Sequence, residues 1–393
     1  MAPTATQAKT GTGQKQAAAP AQPFRVGVYD TDTPDIQVTL AATAAAQKLG
    51  TFKISPNGWL GSIHCTFQGT GYTAATFTGD NPFSGVQKVT FKDVGNREIF
   101  GPLTGYEWMS VNKWGGYYEA EPDPRNPAGQ YAATGGTGYF EFQLFIPLEI
   151  VLRDTLGEIE NKSSSSSYTL EIYIDSQANT LATSTGTLTW TMYGSLLGYT
   201  EPEAADAYGR PLAQSPPAAG TVQYWTSEIY NSPVGSIRYN QVNGIGYPIR
   251  NLVYIAYDSV SNTRATAWTW GLSPFTAAGT TQEWPNPLTL AFGKVQLFQR
   301  YTWAWADLMS RWYGLTQAGP DANLSLENGV FVHPFTRDFD STAGQETRNS
   351  YLITKAGNVL QISGTVSTVG LNIHVLTNYV VPPGNDASKL RAR

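Results

Sequence analysis

Apolar and polar side chains alternate with period two along most of the chain, and this pattern predicts β-strands. In the run FEFQLFI (140–146), every second side chain is apolar, and a Pro follows the run. Such a period places the apolar set on one face of a sheet. The other runs of this kind are 169–176, 187–194, 251–259, 263–271, 358–366 and 370–381. Turns rich in Gly and Pro separate these short runs, which predicts a β-sandwich or β-barrel in each half of the chain.

Two segments depart from this rhythm and predict one short helix in each half. They read EWMSVNKWGG (107–116) and ADLMSRWYGL (306–315), and each contains a Met-Ser pair although the chain has only four Met. Around the second segment, apolar residues recur at helical spacing, at Tyr301, Trp305, Leu308, Met309 and Trp312. Each half is therefore predicted to be an all-β unit with a short accessory helix at the same relative position.

The first helix shows its ends more clearly than its apolar face. Thr104 and Glu107 stand at the spacing of a capping box, and Gly115 suits the C-terminal cap. We expect the aromatic and Met side chains of the two helices to pack at barrel edges or between subunits. These candidate interface and packing residues are Trp108, Met109, Trp114, Trp305, Met309 and Trp312.

Composition divides the 393 residues into two bodies, a linker and two tails. The first residues are small and polar, and a segment near the middle is rich in Ala and Pro, as linkers are. Order along the chain is the same in both bodies: strands, helix, loop rich in Gly and Pro, aromatic strand, polar turn and two closing strands. We predict a tail at 1–24, a first jelly-roll at 25–199, a linker at 200–220, a second jelly-roll at 221–381 and a tail at 382–393, with eight strands in each jelly-roll.

Charge is scarce and unevenly distributed. Only 14% of residues are charged, against about 25% in an average protein, so much neutral surface remains for burial against other subunits. Each tail carries +2, which leaves −9 on residues 25–381 of a chain whose net charge is −5. The basic residues of the tails are Lys9, Lys15, Lys389, Arg391 and Arg393. On charge alone, solvated tails are the simpler interpretation, and contact with phosphate is the alternative.

The chain resembles the double jelly-roll major capsid proteins of the tectivirus type, in the lineage of the adenovirus hexon. The resemblance lies in the run FQLFIPLEIVLRDTLGEIENKSSSSSYTLEIYIDSQAN and in the later runs GVFVHPFTRDFD and GNVLQISGTVSTVGLNIHVLTNYVV. The two-copy layout, the helix in each copy, the length and the small polar N-terminal tail also fit this family.

The resemblance implies a homotrimer that forms a pseudo-hexagonal capsomer, packs against neighbouring capsomers and builds an icosahedral virion shell around an internal membrane, as in a bacteriophage. The basic tail residues would then face inward, toward the viral membrane and minor capsid proteins. It further implies assembly in the host cytoplasm and no specific recognition of nucleic acid. Functional residues in this family are interface surfaces, so no catalytic position is carried over.

Motifs for catalysis or cofactor binding are weak, and we predict no enzyme activity, no cofactor and no metal. GTGQKQ near residue 11 lacks the spacing of a P-loop, and no G-x-S-x-G elbow occurs. The three histidines, His64, His333 and His374, are far apart, and the acidic clusters 119–123 and 338–340 lie in loops. Cys65 lies in an apolar run, which is typical of an inert core residue. The alternative function is a carbohydrate-binding, lectin-like module, because 11 Trp and 22 Tyr on a β-sandwich could stack sugars.

Overall fold

The computed structural model describes residues 21–77, 80–117, 138–151, 155–262, 264, 287–301, 304–305, 308, 329–336, 348–366 and 370–385. The predicted tail residues Lys9, Lys15, Lys389, Arg391 and Arg393 lie outside these ranges, as do Met309, Trp312, most of the predicted strand 263–271 and both acidic loop clusters.

Strands account for nearly all of the regular structure in the first half. They are β1 (Asp30–Ala41), β2 (Gln47–Lys53), β3 (Gly58–Phe77), β4 (Val86–Lys92), β5 (Glu98–Leu103), β6 (Phe140–Pro147), β7 (Ile159–Asn161), β8 (Thr169–Ile174) and β9 (Leu181–Tyr199). Helix α1 (Gly105–Trp114) lies between β5 and β6, and the single turn α2 (Gln177–Thr180) precedes β9.

The second half repeats this order. Its strands are β10 (Val222–Ser232), β11 (Gly235–Gln241), β12 (Pro248–Asp258), β13 (Leu288–Phe292), β14 (Val295–Arg300), β15 (Val330–Pro334), β16 (Leu352–Ile353), β17 (Leu360–Val366) and β18 (Leu371–Val381). After β14, the described residues Ala304, Trp305 and Leu308 are helical. Short 3-10 turns occur at Phe24–Val26, Phe83–Gly85, Arg348–Ser350 and Pro383–Asn385.

Both halves have the strand order of a jelly-roll. In the first, one sheet runs β1-β9-β3-β6 with β7 beside β3, and the other runs β2-β8-β4-β5. In the second, the corresponding sheets run β10-β18-β12-β15, with β16 beside β12, and β11-β17-β13-β14. Apart from the short β7 and β16, each half contains eight strands in the same topology. The predicted fold class, two tandem eight-stranded jelly-rolls each with a short helix, is confirmed.

The two jelly-rolls share a sheet. The edge strand β5 of the first lies parallel to the edge strand β10 of the second, with Phe100 beside Trp225, so that two four-stranded sheets and β16 form one sheet of nine strands. Phe100 and Trp225 are each 1% exposed. The two halves are therefore connected in two ways: by the linker along the chain and by a continuous sheet that is buried at their contact.

Aromatic rings fill the first jelly-roll. Phe67 of β3 stacks on Phe142 of β6 at 5.2 Å between ring centroids, and Phe140 meets Trp190 of β9 edge to face at 5.0 Å. All four side chains are fully buried. They occupy the inward positions that the period-two pattern assigns to these strands, and such ring pairs add stability beyond the area that they bury.

Helix α1 begins and ends with complete caps. The Thr104 hydroxyl accepts from the Glu107 N–H at 3.2 Å, and the Glu107 carboxylate accepts from the Thr104 N–H at 2.7 Å, which confirms the predicted capping box. At the other end Gly115 is the cap residue, while Gly116 has the left-handed φ of 81°. The Tyr117 N–H then reaches back to the Asn112 carbonyl at 3.0 Å, as in a Schellman motif.

The side chain of Asn112 pairs with the free edge of β6. Its amide donates to the Phe145 carbonyl at 2.6 Å, and its carbonyl accepts from the Phe145 N–H at 2.7 Å. The Trp108 indole also donates to the Phe145 carbonyl, at 2.7 Å. Because β6 is the last strand of its sheet, these bonds satisfy backbone groups that would otherwise be unpaired.

The residues that correspond in the two helices are Trp108 and Trp305, and not the Met-Ser pairs. The backbone N–H of Trp108 donates to the carbonyl of Thr104, just after β5. In the same way, the backbone N–H of Trp305 donates to the carbonyl of Tyr301, just after β14. Both indoles are fully buried, and each meets a Phe of the preceding strand edge to face: Phe100 at 6.0 Å and Phe298 at 5.2 Å. Met109 and Met309 stand five and eight residues after Thr104 and Tyr301, so they occupy different positions.

We expect Asn112→Ala to destabilise the fold by roughly 2–3 kcal/mol, because it removes the acceptor of the Phe145 N–H and leaves the Phe145 carbonyl with the Trp108 indole as its remaining side-chain donor. Chemical denaturation should show the loss. The matched control is Asn231→Ala at an exposed position of β10, which should change the free energy of unfolding by less than about 0.5 kcal/mol. Equal effects of the two substitutions would contradict the role assigned to Asn112.

Candidate functional site

The clearest candidate site is the junction between the jelly-rolls, where α1 meets the second half. All ten residues of α1 are buried. The Glu107 carboxylate, 2% exposed, lies 2.7 Å from His374 Nδ1 of β18 and accepts from the Ser227 hydroxyl of β10 at 2.9 Å. One acidic side chain therefore caps its own helix and binds two strands of the other jelly-roll.

The electrostatics of this contact favour the charged carboxylate. Burial alone would raise the pKa of Glu107, but the hydrogen bond and charge of His374 outweigh it. The Thr104 N–H and the Ser227 hydroxyl act in the same direction, so the pKa is held below its ordinary value. A buried charge with this many partners is stable only while all of them remain in place.

The end of α1 extends the junction through backbone carbonyls. The Asn251 amide donates to the Trp114 carbonyl and the Arg250 guanidinium donates to the Gly115 carbonyl, both at 2.9 Å. The Tyr117 hydroxyl donates to the side-chain carbonyl of Gln223 at 3.1 Å. The last carbonyls of the helix thus receive cationic and amide donors from β12, as the negative end of a helix favours.

The structure places the described members of the predicted packing set inside the chain. Trp108, Met109, Trp114 and Trp305 are each 0% exposed. The sequence did not single out Glu107, Asn112 or His374 as junction residues. The signal for Glu107 and Asn112 was their position in a short helix without a clean polar face, since such a helix is buried on all sides.

The first and last described segments of the chain lie beside the linker at one end of the molecule. β1 begins beside the end of β9, with Asp30 opposite Tyr199, and β10 begins beside the end of β18, with Val222 opposite Val381. The Gln22 N–H donates to the Pro211 carbonyl of the linker at 2.8 Å. At the other end of the linker, Gly220 borders Pro383, since a Cβ on Gly220 would lie 4.0 Å from it.

The end of the predicted N-terminal tail is packed. Phe24 is 2% exposed and meets Trp59 edge to face at 5.7 Å. Gln22 pairs with Leu212 of the linker. The boundary predicted at residue 24 is therefore too late, because an aromatic side chain at that position enters a small core of its own with Trp59 and Tyr199.

A cleft of about 460 Å³ opens on the outer face of the first jelly-roll near this end. Its lining includes Asp30, Asp32, His64, Glu149 and Tyr199. Glu149 accepts from the Thr155 N–H at 2.9 Å and from the Tyr199 hydroxyl at 3.2 Å.

Glu158 lies beside Glu149 and is 2% exposed. Burial, followed by the charge of Glu149 and the hydrogen bond to it, raises the pKa of Glu158 to about 10. At neutral pH Glu158 therefore holds its proton, because it is buried beside a second carboxyl group.

The described histidines and Cys65 are not part of a metal-ligand cluster within the described residues. Burial lowers the pKa of His64 to about 4, and burial with the charge of Arg300 lowers that of His333 to about 3. Cys65 is fully buried, which raises its pKa to about 12. Within the described ranges, no three His, Cys, Asp or Glu side chains come together as metal ligands. No helix in these ranges is long and apolar enough to cross a membrane.

Comparison of sequences finds no family model and no curated protein that matches this chain. Comparison of structures finds matches over nearly its whole length. A chain in the atomic structure of Sulfolobus turreted icosahedral virus is 12% identical, with a TM-score of 0.59 over 91% of this chain and 92% of that one. The Faustovirus major capsid protein is 11% identical, with a TM-score of 0.51 over 90% of both chains.

The major capsid protein of bacteriophage PM2 is 9% identical, with a TM-score of 0.50 over 90% of this chain and 98% of that one. These similar structures are all double jelly-roll major capsid proteins. At such low identity the similarity establishes the fold: the chain has the double jelly-roll architecture that these capsid proteins share, and the expected resemblance is confirmed at that level.

We expect Glu107→Gln to destabilise the protein by about 2–4 kcal/mol at neutral pH, because the amide cannot accept from all three donors. Since the pKa of Glu107 is lowered in the fold, its contribution is present above the ordinary carboxyl range and is lost as pH falls. The difference between wild type and variant should therefore shrink on acidification, measured by denaturation at several pH values. Glu98→Gln, at an exposed position of β5, is the control and should leave stability unchanged.

We expect Glu158→Gln to have the opposite pH dependence. Because its pKa is raised, Glu158 contributes fully below about 4.5, and that contribution is lost as pH rises toward about 10. Gln mimics the protonated acid, so the variant should be more stable than wild type at pH 8, by roughly 1–3 kcal/mol. At pH 4.5 the two should be alike. Thermal unfolding measures both, with Glu160→Gln in the adjacent strand β7 as the exposed control; a wild-type advantage at pH 8 would refute the protonated state of Glu158.

Proposed function

We propose that this chain is a major capsid protein whose homotrimers form pseudo-hexagonal capsomers of an icosahedral, membrane-containing virion. The observation that carries the proposal is the pair of jelly-rolls joined through a shared sheet, with the first and last described segments at one end of the molecule. A tile of a shell needs two different ends, one outside and one inside. A chain whose termini leave together supplies that polarity.

The proposed domain organisation follows the sequence with one adjustment. The jelly-rolls occupy 25–199 and 221–381, the linker 200–220 and the C-terminal tail 382–393, while the free N-terminal tail ends before Gln22. We propose that Lys9, Lys15, Lys389, Arg391 and Arg393 face inward and contact anionic headgroups or acidic minor capsid proteins. The described segments next to both tails lie at the linker end, which supports this, because all five charges would then act on the same side of the molecule.

We propose a structural and not a catalytic role. The similar structures are capsid proteins, and the perturbed titratable groups in the described residues are explained by packing and by the junction. The alternative of a carbohydrate-binding module is less well supported, because the described tryptophans are all in the interior. Trp59, Trp108, Trp114, Trp190, Trp225 and Trp305 are each at most 4% exposed. The Trp268 and Trp270 pair lies outside the described residues.

We expect the purified chain to run as a trimer of 42.6 kDa subunits in size-exclusion chromatography with light scattering. Three chains with two jelly-rolls each form a closed ring in which six jelly-rolls alternate. A stable monomer at micromolar concentration would argue against the capsomer. Strong binding of the monomer to a glycan array would favour the carbohydrate-binding alternative.

We expect deletion of residues 1–20 to leave the trimer folded but to abolish shell assembly or attachment to anionic vesicles. The deletion removes Lys9 and Lys15 and leaves Gln22 and Phe24 in their packed positions. Lys9→Gln with Lys15→Gln should reproduce the loss of vesicle binding in a flotation assay. Deletion of residues 1–27 is the contrast, since it removes Phe24 and should lower the melting temperature. Unchanged vesicle binding and assembly in the shorter deletion would contradict the inward role of the tail.

A further inference from the structure

The chain has a second pair of edge strands that corresponds to the pair joining its two jelly-rolls. Inside the molecule, β5 of the first jelly-roll lies parallel to β10 of the second. Each is the edge strand of its own four-stranded sheet. Because the halves share one topology, β14 and β1 are the corresponding edges on the far sides. Among the described strands, β14 pairs only with β13, and β1 pairs only with β9.

β5 and β14 correspond residue by residue at the point of contact. In β5, the extra residue Ile99 forms a bulge between Glu98 and Phe100. In β14, the extra residue Leu297 forms a bulge between Gln296 and Phe298. Each Phe then meets the equivalent Trp of the following helix. Phe298 is therefore the counterpart of Phe100, the residue that lies beside Trp225 in the shared sheet.

The counterpart of Trp225 falls in the acidic start of β1. Trp225 lies opposite Asn378, three residues before β18 ends, and the residue three before the end of β9 is Leu196, which lies opposite Thr33, the neighbour of Asp32. A Pro follows soon after in β1, and the register shifts between Pro34 and Ile36. Pro has no N–H to donate, so pairing along this edge is confined to the residues before it, and the contact would be as short as that of β5 with β10.

The two free edges are complementary in charge. β1 contains three Asp, of which Asp30 is paired with Arg25, whereas the turn and strand 293–300 contain Lys294 and Arg300 and no acid. Asp32 and Lys294 are both exposed, and neither forms a hydrogen bond or ion pair with the described residues. Apolar exposure matches as well: Tyr29 just before β1 is 75% exposed, and Val295 at the start of β14 is 63% exposed.

We propose that β14 of one copy of this chain lies parallel to the start of β1 of the next copy, with Lys294 near the Asp30–Asp32 segment. The contact is head to tail, so three copies close a ring in which every junction repeats the β5–β10 arrangement. The inference rests on the proposed capsomer and adds to it the two surfaces that meet. It also covers two sheet edges that would otherwise stay open.

Thiol cross-linking of the full chain tests the contact directly. The double variant Asp32→Cys with Gln296→Cys, treated with a short bis-maleimide, should give covalent dimers and trimers on a denaturing gel and nothing larger. Each single variant should give none, because a head-to-tail contact never brings one position against itself. Cys65 is fully buried, with its pKa raised to about 12, so it does not compete.

A matched control keeps Asp32→Cys and moves the partner to Val234→Cys. Val234 is 56% exposed but lies in the turn after β10, away from β14, so this pair should give no ladder. If light scattering shows a trimer and the first pair fails to cross-link, the proposed contact is wrong and the capsomer stands. If the wild-type chain stays monomeric and no ladder forms, both are wrong.

Charge reversal gives an independent readout. Lys294→Glu and Asp32→Lys should each raise the concentration at which the trimer dissociates by about tenfold, since each places like charges together. The combined variant restores opposite charges across the contact and should recover most of that loss. Additive loss in the combined variant, or no change in any of the three, would overturn the proposed pairing of the two edges.

Discussion

A helix buried on every side sets the main constraint on this molecule. Helix α1 has no face toward solvent, so its polar groups depend on partners inside the protein, which several of them have. Asn112 finds one on the edge of β6, Glu107 finds two on β10 and β18, and the last carbonyls find donors from Arg250 and Asn251. These bonds fix where the first jelly-roll ends and how the second one lies against it, because moving either would leave a buried group unpaired.

The sequence predicted the features that depend on local periodicity. Alternation in runs such as 140–146 and 169–176 identified strands, and the spacing of Thr104 and Glu107 identified the start of α1. The repeat of strands, helix and closing strands was enough to predict the topology twice over. Each of these signals lies within a few residues of chain, where backbone geometry alone decides which side chains share a face.

Features that depend on contacts between distant segments were missed. The shared nine-stranded sheet depends on one pair of residues, Phe100 and Trp225. The sequence of neither strand indicates a partner 125 positions away. The Met-Ser echo drew attention to the right helices but to the wrong positions within them. The structural repeat is the pair of Phe and Trp, Phe100 with Trp108 and Phe298 with Trp305, because only buried, bulky residues at those positions fill the space behind the edge strand.

The junction inside the chain and the proposed junction between copies use corresponding edges that differ in chemistry, and the difference has a physical reason. Inside the chain, the edges meet through Phe100, Trp225 and a buried carboxylate, contacts that never have to face water after folding. The outer edges must remain soluble until a second copy arrives. A hydrophobic edge exposed in that interval would promote aggregation, and charged residues and Pro on edge strands prevent it. Asp30, Asp32 and Pro34 on β1, with Lys294 beside β14, serve that purpose, and their opposite signs keep the same surfaces selective for each other.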